Sequence, residues 1–150
     1  MDRARHGRLR AHGARLLLWA ALAAPTPCLA EGIAIITHPT SRLATLDKSQ
    51  LSDLYLGRKR ALAGDQYIEL YDHPINSRLR ARFFARLNGM SLSQVNAYWA
   101  RLQFTGRVYP PVQLDGDREL IETVRSHKNA IAYVDGDSLT TDVKVLLWLE

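Results

Sequence analysis

Tyr71-Asp72-His73-Pro74-Ile75-Asn76-Ser77-Arg78-Leu79-Arg80 runs on into Ala81-Arg82-Phe83-Phe84-Ala85-Arg86-Leu87, and the spacing of its apolar residues changes midway. From Gln66 to Tyr71 apolar and polar residues alternate, as in a half-buried strand. After Ser77 they recur at helical spacing until Asn88-Gly89 closes the run. Asn76 or Ser77 supplies the N-cap between the two periods. A strand that passes through a tight loop into a capped helix is the building unit of an α/β domain.

Turning ~100° per residue from Leu79 sets Leu79, Phe83, Leu87 and Phe84 on one apolar arc. Arg78, Arg82 and Arg86 line the opposite flank four apart, as a solvated face would. Arg80 falls inside the apolar arc, between Leu87 and Phe84, within the first turn. A guanidinium turned toward a core requires negative charge beside it. Two partners are open: Asp72, in an internal salt bridge, or a bound oxyanion held by Arg80, Ser77 and the free N–H groups of the helix start.

The segments on either side extend the same alternation of elements. Gly32-Ile33-Ala34-Ile35-Ile36-Thr37 reads as a buried strand ended by His38-Pro39. Thr45 is a candidate cap for a helix carrying Leu46, Leu51, Leu54 and Tyr55, which Gly57 closes. Ala63-Gly64-Asp65 is a turn. Ser91 caps a helix with Leu92, Val95, Tyr98, Trp99 and Leu102 along one side, a pattern of core rather than of a ligand platform. Tyr109-Pro110-Pro111 is an extended connector. Asp115 or Asp117 starts a helix with Leu120, Ile121 and Val124 inward; strands follow at 130–134 and 143–148, joined by Asp135-Gly136-Asp137. The order β-α-β-α-α-α-β-β predicts a single small three-layer α/β domain around a mixed sheet.

The first thirty residues read differently. Arg3, Arg5, Arg8, Arg10 and Arg15 precede the apolar run 16–24, and Cys28-Leu29-Ala30 follows. This is the pattern of a secretory signal peptide cut near Ala30, leaving 31–150 as the domain. The apolar run is far shorter than the ~20 residues a spanning helix needs. A lipid anchor on Cys28 is the rival reading, which Pro25-Thr26-Pro27 argues against. The 150 residues carry 20 basic and 15 acidic side chains; without the five leader arginines and Asp2 the balance is 15 to 14. The net charge of +5 is therefore mostly leader, and the domain has no basic footprint for nucleic acid. Its lack of cysteine leaves the core alone to hold it.

Catalytic chemistry finds little support. Asp72 and His73 are neighbours on an extended segment and point opposite ways, so Asp72 does not orient His73 toward Ser77. His38, His73 and His127 lie far apart without a metal-binding spacing. Gly106-Arg107 before the prolines could set a cation at a cleft mouth, against the plainer reading of a helix end and a surface arginine.

Five pieces in order resemble a known family: the Ile-rich strand ending at Pro39; Leu46-Asp47-Lys48-Ser49-Gln50-Leu51-Ser52-Asp53-Leu54-Tyr55-Leu56-Gly57; Ser77-Arg78-Leu79-Arg80; the segment 97–107 with Pro110-Pro111; and Ala130-Ile131-Ala132-Tyr133-Val134. Together they are similar to the short exported relatives of the phosphate-binding protein of ABC phosphate importers, PBP-like domains of the type 2 periplasmic binding protein superfamily. The resemblance implies a shape like one lobe of such a protein. It also implies a non-enzymatic periplasmic role without a cofactor, and contact with a small oxyanion such as phosphate through Ser77, Arg80, His73 and Asn76. A membrane transporter or sensor would be the partner. Where the long proteins grip phosphate with Arg, Ser, Gly and Thr, this chain has His73, Ser77, Arg78 and Leu79, so weak or altered anion binding is expected. Asn129 and Ala132 stand where the family's returning strand has glycines. The alternative is a degenerate scaffold that works through protein contacts at the Arg78/Arg82/Arg86 stripe or the Tyr109 loop. A hydrolase using Ser77 is more distant still.

Overall fold

The computed structural model describes residues 32–62, 66–106 and 108–150. The expected leader, Cys28, the turn at 63–65 and Arg107 lie outside the described residues. In chain order the elements are β1 (Ile33–Thr37), α1 (Lys48–Tyr55), β2 (Ala61–Leu62), β3 (Gln66–Tyr67), β4 (Glu69–Asp72), α2 (Arg78–Asn88), α3 (Leu92–Phe104), β5 (Val112–Gln113), α4 (Asp117–Ser126), β6 (Ala130–Asp135) and β7 (Lys144–Leu149). A 3₁₀ turn at Gly136–Ser138 joins the last two strands.

Five strands form a mixed sheet in the order β5-β4-β6-β1-β7, while β2 and β3 make a separate hairpin. β4 runs parallel to β5 and β6; β1 is antiparallel to both β6 and β7. The alternation of side chains along β1 and β6 separates two cores. Ile33, Ile35, Ile131 and Tyr133 face α1, α2 and α3, joining Leu51, Tyr55, Phe83, Phe84, Val95 and Trp99. Ala34, Ile36, Ala130, Ala132 and Val134 face α4 and meet Leu120, Ile121 and Val124. Small residues on that second face let one helix lie close to the sheet. The result is helices, sheet, helix: the three-layer arrangement expected.

The boundaries shift in places. α1 is capped by Asp47 rather than Thr45, because Asp47 and Gln50 form a reciprocal capping box, Gln50 N–H to Asp47 Oδ1 at 2.7 Å and Asp47 N–H to Gln50 Oε1 at 3.1 Å. Ser77 and Ser91 cap α2 and α3 as expected. The single strand expected at 66–71 is two, β3 and β4, belonging to different sheets. Gly116 is the N-cap of α4, with Asp117 its first residue. The arginine stripe on α2 is not simply solvated: Arg82 pairs with Asp135 at 2.9 Å and Arg86 donates to the Leu149 carbonyl at 3.3 Å.

Candidate functional site

β4 ends on Asp72 and α2 begins at Arg78, four residues past Pro74, so this junction sets the geometry of every predicted site residue. Asp72 is 1% exposed and Arg80 2% exposed. The Arg80 Nε–H donates to Asp72 Oδ2 at 2.8 Å. Its Nη1 donates to Asn96 Oδ1 of α3 at 2.7 Å and to the Ile75 carbonyl at 3.3 Å. The guanidinium also lies over the Phe84 ring, 5.1 Å from its centre. Arg80 thus turns inward, as the periodicity required, and the internal carboxylate is one of its partners.

The other oxygen of Asp72 accepts from the His73 backbone N–H at 2.8 Å and from the Tyr133 hydroxyl. Asp72 is thereby a satisfied buried acceptor with a cation against it, the condition under which a buried charge is tolerable. Burial, then the nearby Asp72 charge, raises the pKa of Tyr133 well above its ordinary value, so its hydroxyl stays a donor. Tyr55 is raised by the same two causes and donates to the Tyr71 carbonyl at 2.8 Å. The Tyr133 ring stacks on Phe83 at 3.7 Å, with Tyr55 edge-on to both, so the polar cluster sits on an aromatic floor.

The His73 ring is directed toward β6 and α4. Its Nε2 lies 3.1 Å from the Tyr133 carbonyl and 3.2 Å from Asp117 Oδ1 of α4. Both neighbours are acceptors, so Nε2 carries the proton. Burial by itself would raise the pKa of Asp117, but hydrogen bonds from His73, from Ser138 and from the Asp135 N–H outweigh it and hold the carboxyl below its usual value. The Ser77 hydroxyl accepts from Arg80 N–H at 3.4 Å, and Ser77 N–H donates to the Pro74 carbonyl at 2.8 Å. Asn76 is exposed at the outer edge of the loop. Of the four predicted residues, Ser77 and Arg80 therefore meet through backbone and cap, His73 is directed to α4, and Asn76 faces outward.

Sequence reasoning missed Asn96, Tyr133 and Asp117 as members of this cluster. A tyrosine in the otherwise aliphatic strand 130–134 was a usable signal, since a buried phenol needs a partner. Among the described residues no group of three or more His, Cys, Asp or Glu side chains is arranged to hold a metal ion. No helix among them is long and apolar enough to cross a membrane.

No family model matches the sequence, and no curated protein does either. Solved structures do match the fold. An ABC-type phosphate transport receptor from Vibrio cholerae superposes with a TM-score of 0.60 at 18% identity, over 77% of this chain and 45% of the receptor. A protein assigned as a phosphate ABC transporter substrate-binding protein, solved with bound phosphate from Clostridium perfringens, gives 0.62 at 20% identity, over 77% of this chain and 44% of that one. The chain has the type 2 periplasmic binding protein fold, matching one lobe. It spans less than half the length of either structure.

Proposed function

We propose that this chain is a non-enzymatic, exported solute-binding-like protein of the phosphate-receptor type, whose contact with oxyanions at Ser77, Arg80, His73 and Asn76 is weak. It would reach the periplasm through a signal peptide cut near Ala30, and residues 31–150 would be the working domain. The observation that carries the reading is the lobe-level likeness to two phosphate-transport receptors, with the β4-to-α2 junction supplying a capped helix start. The weakness follows from Arg80: a guanidinium already bonded to Asp72, Asn96 and the Ile75 carbonyl has little to offer a ligand, and Asp72 repels an arriving anion.

The same pair favours a second reading, a scaffold that engages a membrane transporter or sensor without holding a solute. Thermal unfolding with phosphate, sulfate and small carboxylates separates the two. Under the first, melting rises with ligand by mass action, with dissociation constants no tighter than about micromolar. A melt that stays flat up to millimolar anion defeats it and leaves the scaffold.

A further inference from the structure

At the other end of β4 from Ser77 lies a cavity of about 410 Å³, between α1, the β2–β3 hairpin and the connector at 108–112. We propose that it is a binding site for a small organic anion with a flat apolar body, separate from the junction discussed above. The volume is in the range of small-molecule pockets. Leu54, Trp99, Val108 and Pro111 supply apolar wall, and Tyr67 and Tyr109, 60% and 75% exposed, stand beside it. Faces of aromatic rings and prolines receive a flat ring better than a branched chain.

Charge selects the sign of the ligand. Lys59 and Arg60 both line the cavity, and among the described residues Glu69, which accepts from the Tyr71 hydroxyl at 3.2 Å, is its one lining carboxylate. Asp53, which does not line the cavity, is shared by Lys59 at 3.1 Å and by Arg58 at 3.6 Å. Among the described residues cations therefore outnumber carboxylates around the opening, and a carboxylate or sulfonate on the ligand is drawn there. The cavity shares no lining residue with Asp72, His73, Ser77 or Arg80, so this site can fail or hold independently of the phosphate question.

The purified full chain, titrated with 2-naphthoate and with its neutral twin 2-naphthamide, tests the assignment by calorimetry and amide NMR. The acid is expected to bind about tenfold more tightly than the amide, moving resonances of Gly57, Tyr67 and Val112 and leaving those of Ser77 and Arg80 in place. Lys59→Gln with Arg60→Gln, two exposed positions whose exchange leaves the core intact, removes that preference; Val108→Phe, which fills the space, removes both ligands. Equal affinity for acid and amide overturns the proposal. So does binding that survives Val108→Phe, perturbation centred on Ser77, or no binding of either compound at millimolar concentration. A partner protein whose footprint covers Tyr67 and Tyr109 while both naphthyl compounds leave them unmoved overturns it in favour of a docking surface.

Discussion

Arg80 and Asp72 are the residues on which the interior's polarity turns. Both are almost wholly removed from solvent, so each is tolerable only with the other present. Arg80→Met is expected to cost about 3–5 kcal/mol, because it strands a buried carboxylate. Asp72→Asn in the same background should recover much of that loss, and urea unfolding of the single and double variants measures both. A loss under about 1 kcal/mol for Arg80→Met would mean the pair is not desolvated. Asp117 makes stability depend on acidity. Its folded pKa lies below the unfolded one, so its contribution is present above about pH 4, the ordinary carboxylate range, and disappears as pH falls through the lower folded value. Melting curves from pH 7 to pH 3 should therefore separate wild type from Asp117→Asn at neutral pH and bring them together in acid; parallel curves would contradict this. The inward turn of Arg80 was legible because helical period is local, and Asp72 was legible as a partner because it is only eight residues away. Asn96 was not, since its approach depends on how α3 crosses α2.

At the scale of elements, Gly57 governs how α1 hands over to the hairpin. Its φ is +66°, and a Cβ there would stand 2.8 Å from both Trp99 and Val108. Gly57→Ala is thus opposed by backbone and by packing, at a cost of about 1–3 kcal/mol readable in chemical denaturation. Gly89→Ala, with a similar φ of +74° but open space around it, should cost less. If the two cost the same, the walls around Gly57 yield freely. The helices of this chain were readable from caps and periodicity: Ser77, Ser91 and the Leu120/Ile121/Val124 face all fell as expected. The two-residue strand β5 was not, because Val112 and Gln113 are both exposed and carry no alternation. The split of β3 from β4 was hidden for a related reason. Six alternating residues look like one strand, and only the Ile68 N–H bond to the Arg60 carbonyl, with Glu69 N–H bonding to Asn129 instead, marks the change of sheet.

At the scale of the whole described unit, one three-layer arrangement matches less than half the length of either solved receptor. Among the described residues the layers pack on the two faces of one sheet, with no cleft between lobes to close. Small-angle scattering of the folded domain should give a radius of gyration of about 14 Å, unchanged by phosphate. A contraction of several ångströms on adding phosphate would reveal a hinge that the layering does not provide. The two cores on opposite faces of one sheet were foreseeable from the strand and helix order. The placement of β1 between β6 and β7 was not, because nothing in a run of isoleucines names its neighbours.

That placement bears on how the molecule comes into being. β1 pairs on one side with Ala130–Asp135 and on the other with Lys144–Leu149, across nearly the full span of the domain. Such distant pairings are slow to form. As the ribosome releases the polypeptide, β1 has no lateral companion until β6 is out and lacks its second until β7 follows, so the sheet's centre assembles late. Topology alone accordingly holds the middle of the sheet open until most of the domain has emerged.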